Sequence, residues 1–540
     1  MHKPFALLLL PLAIAASAQT PPPAPSPPDA PLPPDQAAMK AHVMFLASDA
    51  MRGREAGSPE YDIAAQYVAA QFYGAGLKPG GDAGGYLQRV PLVSYRLDGD
   101  ATVGWTPRGG AAMPFKAGED FTAAANPGRA ETRVSAPVVF VGYGVDAPSF
   151  GLTSYKGVDV RGKIVAVVGG APARLGGEER AFFGSPQTKA MMAAAKGAVG
   201  LITVQPRPAP PRPLAAPPRG PVRMTWATPD GVGKTDPIPL LGTLTATGGA
   251  KLFGAKWGRI AAAAQTDAPA YKPVAARGIL SVQSKTAFEK AESSNVVGLL
   301  PGADPKLRQE VVVLSAHLDH IGVSSGATGD RINNGALDNA VGIASLIEEA
   351  KRFGKDGQPP RRTIMFLAVT AEEKGLVGAD FFANHPTVPL ANVVADVNLD
   401  MPILTYRFTD MIVYGGERST LGPIIRQALA TEGLTVSVDP IPEEGIFVRS
   451  DHFRFVQKGV PSVFLWPGAG NGGKEASAKF MSTCYHRPCD EVTGPILWDQ
   501  GPRFVAVNYA IARGIADADA RPVWNKGDYF GTLFKGPMAK

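Results

Sequence analysis

Val311-Val-Val-Leu-Ser-Ala-His317-Leu-Asp319-His320 decides how the second half of the chain folds. Four apolar residues in a row, three of them β-branched, fit a strand buried on both faces, the kind found in parallel sheets. The run then ends in an imidazole, a carboxylate and a second imidazole. Thr363 to Val369 and Val393 to Leu399 are further apolar strands, and Asn339 to Phe353 and Leu421 to Glu432 carry helical periodicity. From Ser294 onward this alternation predicts an α/β fold, a mostly parallel mixed sheet sandwiched by helices. His317, Glu373 and Asp400 each fall just after a strand's last apolar residue, at the edge where open α/β sheets place their sites.

Four segments at that edge read together as a metal site: Ala316 to His320, Ala336-Leu-Asp338-Asn339, Ala371-Glu372-Glu373-Lys374 and Asn398-Leu-Asp400, with Tyr485-His486 arriving later. Imidazole and carboxylate are the usual zinc ligands outside thiolate sites, and a catalytic site keeps one position open for water. Of seven histidines only His2, His42 and His385 lie outside these segments and the nearby Ser450-Asp451-His452. One histidine beside a carboxylate is more often a surface pair or a satisfied core residue. The ordered combination carries the reading.

At 540 residues the chain exceeds one ordinary domain, and an apolar fraction of 45% is that of a globular protein. Met1 to Ala18 pairs an early lysine with a short apolar run and ends Ala16-Ser-Ala18, the pattern of a secretory signal peptide cleaved after Ala18. The run is too short to span a bilayer, and no later stretch approaches a transmembrane helix, so a periplasmic or secreted protein without stable membrane insertion is expected. Residues 19–36 form a proline-rich linker, expected to be an extended tether. The net charge of +6 is not gathered into a basic run with interleaved aromatics, which argues against a nucleic acid partner. Cys484 and Cys489 are the only cysteines, and in an oxidising compartment this close pair is expected to form a local disulfide that holds the turn bearing His486.

Helical spacing covers much of Met39 to Gly74, and a loop-rich stretch is expected from there to about Arg129. Ala136 to Gly144, Gly162 to Gly170 and Gly197 to Val204 read as strands with a helix over Lys189 to Lys196, then a proline-rich loop over Pro206 to Pro221 and more β-like pieces to about Ser281. Gly468-Ala-Gly-Asn-Gly-Gly-Lys474 has phosphate-loop spacing, but Glu475 stands where a magnesium-binding hydroxyl is needed and no clear helix is expected to follow.

In residues and order, the metal-type segments resemble the zinc aminopeptidase family usually called M28, from about Met39 to the C-terminus. The resemblance implies a zinc-exopeptidase (phosphorylase/hydrolase-like) fold, with residues 37–130 and 282–540 forming the peptidase domain and 131–281 an inserted β-rich protease-associated domain. It implies two zinc ions: Asp338 bridges them, His317 and Asp400 complete one, and Glu373 and His486 complete the other. A cis bond at Asp338-Asn339, an Arg449 that contacts the bound carbonyl and a Trp466 that lines the side-chain pocket are also implied. Two metals can share and acidify a water. Glu372, next to a ligand, is placed to take its proton and deliver it to the leaving amine. Asp319 would accept from the His317 imidazole and fix its tautomer. The Tyr485 phenol could donate to the oxyanion, though a buried structural tyrosine fits as well.

The resulting expectation is a dinuclear zinc aminopeptidase acting on peptide substrates. A carboxypeptidase or dipeptidase on the same scaffold would need a basic pocket, which Arg449 leaves open. A one-zinc glutaminyl-cyclase-like acyltransferase fits the retained ligands less well. A binding protein on a dead peptidase fold would have lost ligands or the base, and here none is missing.

Overall fold

The computed structural model describes residues 31–206, 222–265, 272–325 and 329–540. The signal peptide, most of the linker and the proline-rich loop lie outside them. The linker's end differs from the extended tether expected: Pro34, Asp35 and Gln36 open the helix Pro34–Leu46, where proline in the first turn forfeits no hydrogen bond.

The main sheet is built around Val311–His317. Thr363–Val369 and Val393–Asn398 flank it in parallel, and Ser462–Pro467 continues the parallel run beyond Val393–Asn398. Antiparallel strands close both sides: Asp410–Tyr414 on one, and Gly278–Leu300, Leu87–Leu97 and Arg223–Trp226 on the other. The sheet is therefore mixed with a parallel centre, as expected. Every residue of Val311–His317 is buried because the strand is covered twice. Val312, Leu314 and Ala316 join the larger core, while Val311 and Val313 pack with Phe382 and Phe455 on the opposite face. Helices Val341–Lys355 and Gln500–Asp517 pack against each other on the first face; Val377–Asn384 and His452–Val456 cover the second.

Leu87–Leu97, in the stretch expected to be loop-rich, is an 11-residue strand paired along its length with Gly278–Leu300. Pro91 and the interspersed polar residues hid it. The Pro91 carbonyl accepts from Ala227, just past the edge strand Arg223–Trp226, so the missing proline amide falls where that ladder has ended.

A second, six-stranded sheet runs in the order Val274–Ala275, Val138–Phe140, Ile164–Val168, Gly200–Val204, Leu240–Leu244 and Phe121–Ala123. Its last portion contains the helices Ala246–Phe253 and Trp257–Gln265 where β-like pieces were expected. Gly278–Leu300 is one continuous strand through positions 281 and 282, its first half paired with Thr102–Pro107 and Glu131–Ala136. The second sheet unit docks on the half built around the main sheet through Glu178 and Glu179, which both pair with Arg418, and through Phe182 against Phe453, Phe530 and Phe534.

Candidate metal centre

His317 is the last residue of its strand, and the chain turns at once to bring Asp319 and His320 beneath the sheet edge. Asp338 lies in the turn Ala336–Ala340 that starts the helix Val341–Lys355. Gly335 opens this turn at φ 61°, and a Cβ there would lie 2.2 Å from the Asp338 carbonyl oxygen and 2.6 Å from the His320 ring, so only glycine fits. The Asp338-Asn339 bond is cis. Asn339 secures the turn, its side-chain amide donating to Leu399 O (2.9 Å) and its carbonyl accepting from Met401 N (3.1 Å). Asp490 accepts from the amides of Leu337 (2.8 Å) and Asp338 (3.0 Å).

These turns bring the five expected ligands together. His317 Nε2 is 3.0 Å from Asp400 Oδ1 and 3.3 Å from Asp338 Oδ1. The other Asp338 oxygen, Oδ2, is 3.3 Å from His486 Nε2, which is also 3.1 Å from Glu373 Oε2. The two oxygens of Asp338 thus face separate donor sets. His320, which is not among the five implied ligands, enters the second set: its Nδ1 lies 2.7 Å from Glu373 Oε1 and 3.9 Å from Asp338 Oδ2. His317, Asp338 and Asp400 on one side, and His320, Asp338 and Glu373 on the other, each converge closely enough to hold an ion. Asp338 Oδ2, Glu373 Oε1 and both His320 nitrogens are buried without a hydrogen-bond partner. Orphaned carboxylate and imidazole atoms pointing at one another are the donor set zinc takes, so the residues fit the metal.

The neighbouring carboxyls Glu372 and Glu373 are driven apart. Burial pushes Glu372 well above the ordinary carboxyl range against the opposing pull of His317. Burial and Asp338 also push Glu373 up, but its two imidazoles outweigh them and bring it down to about 2. Such a split distinguishes a group that can carry a proton from one that stays ionised. Burial opposes protonation of His486, yet Asp338 and Glu373 together raise it to about 10.

Asp319 differs from expectation in what it holds. His317 Nδ1 lies 3.1 Å from the Asp319 main-chain carbonyl, which fixes the ring, while the Asp319 carboxylate accepts from the amides of Glu372 (3.0 Å) and Glu373 (3.3 Å). The aspartate therefore aims the two glutamates. Tyr485 stacks on His486 with ring centroids 3.8 Å apart, and burial raises its phenol pKa. Both line a cleft with Glu372, Arg449 and Trp466. Arg449 donates to Glu444 Oε2 at 2.7 Å, and Trp466 Nε1 donates to the Asp400 carbonyl at 2.9 Å. Met401, Ile446, Phe464 and Met481 make the rest of this wall apolar. Cys484 and Cys489 are joined by a disulfide around the His486 turn.

The glycine-rich loop corrects one expectation, since it leads straight into the helix Gly473–Thr483. Its Gly470 amide is taken by the Asp410 carboxylate (3.1 and 3.2 Å), so a phosphate there would meet a negative charge. Two residues that matter to the site went unread. Asp490 had only its position four residues after His486 as a signal. Arg54, 264 residues before Leu318, to which it donates, had none.

Residues 295–510 match the model of Peptidase family M28. The leupeptin-inactivating enzyme 1 of Streptomyces exfoliatus is 29% identical over 248 residues, 44% of this chain and 49% of that one. A vacuolar membrane protease of Lachancea thermotolerans is 37% identical over 106 residues, 20% of this chain and 10% of its own length. The chain thus spans about half or less of these curated relatives. Among solved structures, an aminopeptidase from Aneurinibacillus sp. strain AM-1 aligns over 90% of this chain and 95% of its own, at 19% identity and a TM-score of 0.47. The segment that matches the Peptidase family M28 model, residues 295–510, carries every one of the converging histidines and carboxylates.

Proposed function

We propose that the protein is a dinuclear zinc exopeptidase that removes N-terminal residues from peptides, with Glu372 as general base. The observation that supports this most is Asp338, whose two oxygens face His317 with Asp400 on one side and His486 with Glu373 on the other. Two ions held by these five residues would polarise the scissile carbonyl and acidify a shared water. Glu372 takes the proton from the attacking water and returns it to the departing amine, a task that suits a carboxyl that burial raises well above its ordinary range. The Tyr485 phenol, kept protonated by that same burial, donates to the oxygen that gains charge at the attacked carbonyl. Trp466 and the methionines beside it receive the first side chain, and Arg449 contacts the substrate carbonyl. The insert read over residues 131–281 serves as a wall to the approach. A cavity of about 1020 Å³ between it and the peptidase half reaches Glu373. The pattern of the first 18 residues assigns the enzyme to the periplasm or the medium, and no described helix is long and apolar enough to cross a membrane.

The test is cleavage of aminoacyl chromogenic amides against their N-acetylated twins by the full-length protein, with chelator treatment and zinc readdition. Chelator-sensitive cleavage confined to free-amine substrates is expected. Cleavage of substrates with a free C-terminal carboxylate regardless of N-acetylation would replace this reading with a carboxypeptidase.

His486, and not His320, is the proposed imidazole of the second ion. His486 Nε2 is within 3.3 Å of both carboxylates and its side chain is 34% exposed, whereas fully buried His320 is 2.7 Å from Glu373 but 3.9 Å from Asp338. His486→Ala is expected to retain about one zinc per chain after dialysis, and His320→Ala about two, by the ligand count of such sites. Metal analysis showing the reverse pattern would exchange the two roles.

A further inference from the structure

Behind Asp400 a line of side chains runs into the sheet. Ser450 Oγ donates to Asp400 Oδ2 at 2.6 Å, on the oxygen turned away from His317, and Asn398 Nδ2 donates to Ser450 Oγ at 2.6 Å. Beyond them, Ser315 Oγ lies 3.1 Å from Asn398 Oδ1 and 2.8 Å from Asp396 Oδ1. Ser315, Asp396 and Asn398 are completely buried and Ser450 is nearly so. Asp396 Oδ2 has no hydrogen-bond partner at all.

Counting hydrogens decides the state of this line. Ser315 has one hydroxyl hydrogen and two acceptors facing it. If Asp396 were ionised it would claim that hydrogen, and the buried Asn398 carbonyl would be left without a donor. No cation faces it. On the segment packed behind this strand, Asp451 is a second buried carboxyl, His452 is a ring that burial keeps neutral between Phe447 and Phe464, and Arg454 turns away to donate to Gln457 Oε1 (2.9 Å) and Gly375 O (2.9 Å). With a proton on Asp396 Oδ1, each hydrogen serves one bond and all four bonds point the same way: Asp396 to Ser315, Ser315 to Asn398, Asn398 to Ser450, Ser450 to Asp400.

We propose that Asp396 is held as the neutral acid and acts as a positioning residue, the terminal donor of a one-way hydrogen-bond chain that fixes Asp400 with its Oδ1 toward the metal. Burial, opposed only by Ser315, raises the Asp396 carboxyl to about 8, in keeping with the geometry. Aligned bonds in a buried, low-dielectric line strengthen one another, so the far end is felt at Asp400. The part of this inference that concerns the metal rests on reading Asp400 as a ligand.

Two measurements on the full-length protein test it. Infrared difference spectra at neutral pH, wild type against Asp396→Asn, are expected to show one neutral carboxylic acid C=O band in the wild type, displaced in Ser315→Ala. Zinc affinity, from competition with a chromophoric chelator, is expected to fall about 10–100-fold in Ser315→Ala and Asp396→Leu, the range typical of groups that orient ligands. Asp396→Asn, which keeps an N–H for Ser315, is expected to stay close to wild type. Absence of the acid band from that difference overturns the proposal, and equal affinities for the Asn and Leu variants overturn the chain of donors. A wild-type band in a protein that binds no zinc would instead refute Asp400 as a ligand.

Discussion

Glu372→Gln is expected to lower kcat on free-amine aminoacyl amides by about 10²–10⁴-fold while leaving the zinc content unchanged, the range removed with a general base. The reason lies in the contrast with its neighbour. Glu373 reaches an imidazole with each of its oxygens, His320 at 2.7 Å and His486 at 3.1 Å, whereas no cationic partner lies within ion-pair distance of Glu372 among the described residues. Asp319 anchors both backbone amides, so glutamine at 372 inherits the same placement. It keeps the size and one carbonyl oxygen and loses only the ability to accept and return a proton. Activity and metal content measured on the same preparation separate the possibilities. Zinc lost together with activity would make Glu372 a ligand, and activity retained would place the base elsewhere. Because Glu372 acts on the chemical step, KM should change little beside kcat.

The features legible in the sequence share one property: they are coded by residues close together in the chain. Val311 to Leu314 is uniformly apolar because both faces of the strand are covered, and His317 ends the strand at the sheet edge. The cis bond at Asp338-Asn339 was expected from the family resemblance alone and not from the residues around it. What escaped depends on distant partners. Leu87–Leu97 is a strand because Gly278–Leu300 pairs with it across almost two hundred residues, and its own composition, with Pro91 inside, argues otherwise. The Asp319 carboxylate was assigned to His317 two residues away, but the chain turn puts the main-chain carbonyl there and frees the carboxylate for the amides of Glu372 and Glu373. His320 is one residue from Asp319, yet its contact with Glu373 exists only because two parallel strands end side by side.

Arg54 is the extreme of that distance effect, and its removal should be the most damaging single change to the metal-free protein. The guanidinium is fully buried and has no carboxylate within ion-pair distance among the described residues. Its donors go to main-chain carbonyls of the turns that carry the ligands: Leu318 at 2.8 Å, Asn334, Gly335 at 2.7 Å and Asp338 at 3.4 Å, with Leu46 at 3.2 Å. Burial lowers its pKa, but Asp338, Asp490, Asp319 and Glu373 all pull it back, so the charge stays and offsets theirs. Arg54→Met removes the donors and the counter-charge together. Each carbonyl left buried without a donor costs about 1–3 kcal/mol. The total should exceed about 4 kcal/mol, the level at which a substitution reflects a broken buried network. Arg54→Lys keeps the charge but replaces a five-donor fork with three hydrogens on one atom, and should fall between the two. Thermal unfolding of chelator-treated wild type and both variants measures this directly. Added zinc should recover more stability in the methionine variant than in wild type, because bound cations restore the positive charge amid the four carboxylates. A methionine variant that melts with the wild type would show that the ligand turns hold their shape without the clamp.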